Sequence, residues 1–413
     1  MIKNPSSAAR LLCTSLAYLA VLSLGVFPFE FARVTIGPFS VPWAALFFVL
    51  LGLCLFLSLI LRWIPFSRPP LPIIGLLGMA LSLILPSAFG RPTSPFVFEM
   101  LFYLSIPVLL FLSVRDRTTL WRLVLLLTLV GSGWASLALA RYFGGAAIVA
   151  DTRVAGSVGN QNSMAFFLEA PYFLVSAALL FAHQLSGRIR WIAAAVSGVL
   201  LSAIALSFSR SAWLSTALGH VYLLLRSTRH RLGVMALALA VALGLLGVAW
   251  GTNPHFLNRL QSKLTITSGT SFSVRYTALA KSWEAIRQDP LIGIGAGNFA
   301  ETLRVPAGRG ILAHPHNAYV QTWLEQGLLG LLSFVFLLGA PIISFWRRAR
   351  TDALSIELRI GFCLVLSVYA VHFLFTSFHA SLFFWVIYGL GVALWALDTP
   401  QESCAESVTS AMR

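Results

Sequence analysis

The chain has 413 residues, of which 58% are hydrophobic and 10% are charged, and its formal net charge is +15 at pH 7. Soluble domains carry about 25% charged residues, so this composition excludes a water-soluble globular protein. The basic residues fall between apolar runs, where they set membrane topology, so the positive charge predicts no nucleic-acid partner. Long unbroken apolar runs predict an all-α polytopic membrane protein that contacts membrane lipids.

Apolar runs that allow about 20 residues per span predict twelve transmembrane helices. They lie near residues 11–29, 41–62, 71–89, 96–114, 120–141, 164–183, 190–208, 210–226, 232–250, 318–346, 357–376 and 379–397. The predicted organisation is transmembrane helices 1–9 in residues 1–250, a large loop in 251–316, transmembrane helices 10–12 in 317–397, and a polar tail in 398–413.

The lysine and arginine side chains predict the orientation in the membrane. Loops on the side of the N-terminus are short and rich in arginine, as cytoplasmic loops are. Both termini are therefore predicted to be cytoplasmic. The large loop then faces outward, which in a bacterium is the periplasmic side of the inner membrane. It has seven basic and three acidic residues and should attract anions such as pyrophosphate or a phosphorylated lipid.

The large loop is predicted to be folded, with amphipathic helices. The clearest helix lies near 272–288 and places Arg275, Leu279, Trp283 and Ile286 on one face. A glycine-rich turn follows it. Because no strand–helix–strand context surrounds that turn, it predicts tight packing of the backbone and not a dinucleotide site.

The large loop ends in the stretch His314-Pro315-His316-Asn317, directly before an apolar helix. Imidazole, with a pKa of about 6.5, is the side chain that both takes and gives a proton near neutral pH. The alternative is that the two rings merely lie at a membrane interface, where amphipathic rings are common. Two histidines beside an asparagine at this junction favour a functional site.

Three arginines meet apolar segments from the predicted outer side. Arg210 lies between two apolar runs, Arg275 lies on the amphipathic loop helix, and Arg153 lies shortly before Asn162 and the sixth span. For each arginine the alternative is a solvated or snorkelling side chain. The outward-facing acids form no cluster that would hold a divalent cation on a phosphate, so a site without metal or cofactor is predicted.

One base and several arginines without a metal suit the transfer of a sugar from a lipid-linked diphosphate. Bidentate guanidinium groups can hold the charge that develops on the leaving diphosphate. A neutral imidazole can deprotonate the attacking sugar hydroxyl. Direct displacement of this kind inverts the anomeric configuration.

The residues around the histidine stretch resemble the O-antigen ligases. The signature of that family is His, then Asn, Ser or Gln, nine residues, Gly, two residues, and Gly, Thr or Tyr. Here His316-Asn317 is followed by nine residues, Gly327, two residues and Gly330.

Two further elements strengthen the resemblance. Arg210 and Leu214 match the Arg-x-x-x-Leu element of the family. The segment from Arg153 to Asn162 is similar to an outer loop of the wider O-antigen ligase/polymerase superfamily, although Gln161 stands where a proline is more usual. The plan of twelve spans with one large outer loop covers essentially the whole chain.

The resemblance implies a membrane-embedded, GT-C-like glycosyltransferase. It would transfer O-antigen from undecaprenyl diphosphate to the lipid A–core oligosaccharide in lipopolysaccharide biosynthesis, without a metal. His316 would be the general base, and Arg210 and Arg275 would hold the diphosphate.

Supporting contacts to substrate are expected from Arg153, Asn162, His314 and Asn317. An O-antigen polymerase or a protein O-oligosaccharyltransferase, which share the donor, and a transporter or flippase of lipid-linked sugars are the alternatives.

Overall fold

A computed structural model of the chain describes part of its residues. These are residues 5–24, 33–36, 39–60, 71–144, 161–182, 185–226, 229–252, 256–257, 260–261, 270–307, 310–348, 356–377 and 381–398. The expected substrate-binding residue Arg153 lies outside the described residues, as does nearly all of the polar tail.

The described residues are overwhelmingly helical, which confirms the all-α prediction. The helices are α1 Pro5–Ser23, α2 Trp43–Ile60, α3 Leu71–Ala88, α4 Phe96–Ser113, α5 Arg117–Phe143, α6 Gln161–Phe181, α7 Gly187–Leu206, α8 Arg210–Arg226, α9 Arg229–Thr252, α10 Thr270–Gln288, α11 Phe299–Leu303, α12 Ala318–Arg348, α13 Ile356–His372 and α14 Leu382–Asp398. Two short antiparallel hairpins join them, β1 Arg33–Ile36 with β2 Phe39–Pro42, and β3 Pro306–Ala307 with β4 Gly310–Ile311.

Each of the twelve predicted spans falls on one of these helices. In the part of the chain that the structure describes, α4, α5, α6, α7 and α12 are long and apolar enough to cross a membrane. Several other apolar helices, such as α14, are slightly shorter. The chain is therefore a polytopic membrane protein of apolar helices, and the count of twelve crossings stays a prediction.

Helices α6 and α13 form the centre of the bundle. In α6, 89% of the most apolar window is buried, against 39% in α12. The rings of Phe166 in α6 and Tyr369 in α13 stack with centroids 4.1 Å apart. Helix α8 packs closely on both, because a Cβ atom on Gly219 would lie 2.3 Å from Phe173 and 3.0 Å from Val368. These three helices position the site described below.

The segment between α9 and α12 has a small apolar core of its own. Ala278, Ile286, Phe299 and Val305 pack there with Leu324 of α12. Polar contacts also fasten the segment to the α3–α4 turn, where Arg91 pairs with Asp289 and the Asn298 amide donates to the Pro92 carbonyl oxygen at 2.8 Å. The described residues of this segment therefore pack on α12, and the prediction that the whole of 251–316 is a folded loop stays a prediction.

The predicted face of α10 is correct only in part. Ile286 is buried, as expected, and among the described side chains of this helix Ala278 and Ser282, spaced four residues apart, are also buried. Trp283, predicted on the buried face, is 44% exposed and instead contacts the ring of Trp323 edge-on at 5.5 Å. The small side chains of the buried stripe let α10 lie close to its neighbours, and the tryptophan lies at the edge of the contact.

Helix α12 is interrupted at Gly327, where φ is 68° and ψ is −169°. The interruption frees hydrogen-bonding groups of the helix, and the glycine-rich turn uses them. The Leu328 amide donates to the Pro290 carbonyl oxygen at 3.0 Å, and the Ile294 amide donates to the Leu324 carbonyl oxygen at 2.9 Å. The turn thus forms backbone hydrogen bonds with α12 where the helix is interrupted, which confirms the tight packing predicted for it.

Candidate active site

The two predicted histidines and two of the predicted arginines come together beside the start of α12. The rings of His314 and His316 lie with centroids 4.4 Å apart, edge to face. Burial and the guanidinium of Arg275 lower the pKa of both imidazoles, and burial and the guanidinium of Arg210 lower the pKa of Arg275. Arg275 therefore lies within electrostatic reach of both imidazoles and of Arg210, and it links four groups that can carry positive charge. We call these four residues the cationic cluster.

The protonation states within the cationic cluster suit a proton acceptor. Burial, together with the neighbouring His314 and Arg275, lowers the pKa of His316 to about 3. Burial and Arg275 also lower the pKa of His314. Both imidazoles are therefore neutral at physiological pH, and a neutral imidazole has one nitrogen lone pair that can accept a proton. The two guanidinium groups keep the cluster positively charged, so it favours an anionic ligand.

The backbone around His316 is held in a specific conformation. His316 has a φ of 57°, in the left-handed region that a non-glycine residue adopts at a cost of about 1 kcal/mol or more. The next two residues are anchored to the end of α13. The Asn317 side-chain amide donates to the Leu374 carbonyl oxygen at 3.1 Å, and the Ala318 amide donates to the Phe373 carbonyl oxygen at 2.9 Å. These contacts stabilise the backbone conformation that holds the His316 imidazole near His314 and Arg275.

Asn317 also begins α12. Its side-chain oxygen accepts from the Val320 amide at 3.0 Å, which is the contact of a helix N-cap. Both ends of its carboxamide are thus bonded to backbone. The expected contact of Asn317 with substrate stays a prediction, beside a structural role that the described contacts define.

Asn162 lies in the first turn of α6 and is partly buried. It precedes Glu169 by seven residues, which is close to two helical turns, so both lie on the same side of α6. The expected contact of Asn162 with substrate stays a prediction.

A second group of polar side chains, not recognised as a unit from the sequence, lies buried next to Arg210. His372 at the end of α13 bonds through Nδ1 to the Glu169 carboxylate at 2.8 Å and through Nε2 to the Ser211 hydroxyl at 2.9 Å. The Ser215 hydroxyl also donates to Glu169, as does the Thr216 hydroxyl at 3.4 Å. The sequence already indicates that Glu169 has a polar partner, because an ionisable residue within an apolar span needs one. Its partners lie far away in sequence.

An apolar pocket of about 830 Å³ lies between α6, α7, α8 and α9. Phe208 and Trp213, on either side of Arg210 in the sequence, line it, and it continues along α8 to Leu224. Its lining is almost entirely apolar, with Leu201 and Leu243 from the neighbouring helices. The segment that carries Arg210 therefore borders both the cationic cluster and a space suited to a hydrocarbon chain.

Among the described residues, His, Cys, Asp and Glu side chains do not gather in threes as metal ligands do. The predicted independence from metal concerns the reaction itself and stays a prediction.

The fold and the site together define a class: a polytopic α-helical membrane protein with a cationic cluster that contains neutral imidazoles, beside an apolar pocket. Comparison with known proteins narrows this class. Residues 195–335 match the sequence model of a family described as O-antigen ligase, and this stretch contains the whole cationic cluster. The chain is also 31% identical to a protein named O-antigen ligase from Salmonella typhimurium, over 35% of this chain and 39% of that relative. Both findings support the resemblance of this part of the chain to O-antigen ligases.

The matched stretch spans about two fifths of the relative's length. The match to the family model, residues 195–335, begins after Glu169 and ends before α13 and His372. The resemblance seen in the histidine–glycine spacing is thus supported by both comparisons, while the roles of individual residues have to be argued from the structure.

Proposed function

We propose that this protein joins O-antigen to lipopolysaccharide. In this proposal it transfers the glycan from undecaprenyl diphosphate to the lipid A–core oligosaccharide, at the periplasmic face of the inner membrane. His316 is the general base, and Arg210 and Arg275 hold the diphosphate. No metal or other cofactor takes part.

The observation that carries the proposal is the meeting of two guanidinium groups with two neutral imidazoles. Guanidinium groups form paired, charge-assisted hydrogen bonds with phosphate oxygens. Burial and the repulsion from Arg210 lower the pKa of Arg275 in the free protein, and a diphosphate between the two arginines would relieve that repulsion. The same ligand would bring the anomeric carbon of the first sugar toward the imidazoles.

The apolar pocket supports a donor that carries a long hydrocarbon chain. It begins beside Phe208 and Trp213, close in sequence to Arg210, and its volume of about 830 Å³ suits part of a polyprenyl chain. A lipid-linked diphosphate has these two parts in this order, an apolar chain followed by an anionic group. Burial of each additional CH₂ group would add about 0.8 kcal/mol to binding.

The proposed step is a single displacement. The oxygen of the acceptor hydroxyl attacks the anomeric carbon and gives its proton to His316. The bond between that carbon and the diphosphate oxygen breaks, and the electron pair leaves with undecaprenyl diphosphate, whose growing charge the arginines stabilise. The anomeric configuration is inverted. General-base assistance of this kind contributes about 10²–10⁴-fold to the rate.

Two alternatives use the same arrangement of residues. An O-antigen polymerase or a protein O-oligosaccharyltransferase takes the same donor and differs in its acceptor. A transporter or flippase of lipid-linked sugars would bind the donor without breaking a bond. The neutral base beside the anion site favours transfer over transport, because transport has no need of a proton acceptor.

Complementation of a strain that lacks its own O-antigen ligase tests the proposal. The wild-type gene should restore ladders of O-antigen-capped lipopolysaccharide, and His316→Ala, at equal protein level in the membrane, should not. Normal ladders from His316→Ala would refute its role as base. Capping by single units without polymer would instead identify a polymerase defect. Release of the donor to the outer leaflet, without new glycosidic bonds from the wild type, would identify a flippase.

A further inference from the structure

A buried chain of hydrogen bonds, Glu169–His372–Ser211, connects three helices of the bundle. His372 belongs to α13, Glu169 to α6 and Ser211 to α8, and the side chains of His372 and Glu169 are completely buried. The ring of Phe166 meets His372 edge-on at 5.3 Å and closes one side of the chain. Hydrogen bonds that are shielded from water in this way are strong and directional, so they fix the helices that they join.

On α8, this chain holds the residue next to Arg210. Arg210 is the first residue of the helix, and Ser211 is the second. The turn that leads into α8 is sharp, with Phe208 at a φ of 52°, and the Ser209 and Ser211 hydroxyls bond at 3.1 Å. The bond between Ser211 and His372 therefore determines how this turn, and the guanidinium that begins the helix, is directed.

On α13, the same chain of hydrogen bonds includes His372, which directly precedes the residues that anchor the histidine stretch. His372 is the last residue of the helix, and the next two carbonyl oxygens, of Phe373 and Leu374, hold Ala318 and Asn317. Arg210 and His316 are thus both fastened, through neighbouring residues, to the three consecutive residues 372–374. The relative position of the two groups is fixed through this short stretch.

We propose that His372 and Glu169 are positioning residues, which set the place of Arg210 relative to His316 through the hydroxyl of Ser211. The inference rests on the proposed function, because it gives Arg210 a diphosphate to hold. In this role none of the three side chains touches the reacting atoms. His372 and Glu169 are completely buried, and Ser211 directs its hydroxyl to His372 and Ser209.

The test is a double-mutant cycle in a reconstituted transfer assay with undecaprenyl diphosphate-linked O-antigen as donor and lipid A–core as acceptor. Ser211→Ala removes one hydroxyl and should lower kcat/KM for the donor about five- to tenfold, the effect of one lost hydrogen bond. Ser211→Thr, which keeps the hydroxyl, should restore most of it. In an Arg210→Ala background, Ser211→Ala should have no further effect, because it acts through that arginine.

Ser202→Ala is the matched control. Ser202 is fully buried in α7 and bonds to the Gly198 carbonyl oxygen of its own helix at 2.7 Å, so its loss removes a similar contact away from the site. It should leave kcat/KM unchanged, and the two single variants should have similar melting temperatures.

Three results would overturn the inference while leaving the proposed function intact: wild-type kinetics in Ser211→Ala, independent and multiplicative losses with Arg210→Ala, or covalent labelling of Ser211 by a fluorophosphonate, which would show a nucleophile. A wild-type protein that transfers nothing in this assay would instead refute the proposed function, and the inference with it.

Discussion

The two ends of the His-Asn-x9-Gly-x2-Gly motif have different roles, one chemical and one structural. At the first end, burial and the neighbouring His314 and Arg275 lower the pKa of His316 to about 3, which keeps its imidazole neutral. At the second end, Gly327 admits the glycine-rich turn into the backbone of α12. The difference teaches that a sequence signature can combine a chemical group with the shape that holds it. Changes at the two ends should therefore separate activity from stability.

The largest expected effect is at the imidazole end. His316→Ala should lower kcat in the reconstituted assay by about 10²–10⁴-fold, because the attacking hydroxyl loses its base. The melting temperature should change by only a few degrees, since His316 is only partly buried. Donor binding, measured with fluorescent undecaprenyl diphosphate, should stay close to that of the wild type. A kcat within threefold of the wild-type value would argue against the base.

At the glycine end the loss should be of folded protein. A Cβ atom on Gly327 would lie 2.0 Å from the Leu291 carbonyl oxygen, and its φ of 68° is unfavourable for alanine. Gly327→Ala should therefore destabilise the protein by at least about 2 kcal/mol, seen as a lower melting temperature in detergent.

Gly339 provides the control for that prediction within the same helix. A Cβ atom there meets nothing within 4 Å, so Gly339→Ala should melt at the wild-type temperature or slightly above. Equal melting temperatures for the two variants would contradict the role assigned to Gly327.

A smaller effect should separate the arginines from the imidazole. Arg275→Lys keeps the charge but loses the paired hydrogen bonds to a diphosphate, so KM for the donor should rise about tenfold. Arg287→Lys, on an exposed side chain near Trp283 of the same helix, should leave KM unchanged. A similar KM for both variants would show that Arg275 does not hold the diphosphate of the donor.

The smallest expected effect is a shift with pH. The neutral form of His316 is active, so activity falls as pH drops through its pKa, and kcat/KM in the wild type should show no loss from this group between pH 5 and 7. In Arg275→Gln a positive neighbour is gone, the pKa of His316 rises, and the acid limb should move to higher pH. An unmoved limb in the pH–rate profile would show that Arg275 does not act on the base.

Much of this architecture could be predicted from local sequence. Apolar length placed the helices, and glycine spacing predicted the tight turn that meets α12. The partnership of Glu169, Ser211 and His372 could not be predicted, because the members are separated by up to 203 positions and only packing of α6, α8 and α13 joins them. The face of α10 was mistaken at Trp283, because apolar periodicity does not distinguish a buried ring from one that packs at an edge.

The helical stretch between Asn317 and Gly327 also sets the distance between two attachments to the rest of the protein. One end is fastened to α13 through Asn317 and Ala318, and the other is fastened to the turn at Pro290. One extra residue between them would advance the helix by about 1.5 Å and rotate it by about 100°. The two attachments could then no longer form together. The spacing of nine residues therefore fixes both the distance between the two attachments and their relative orientation around the helix.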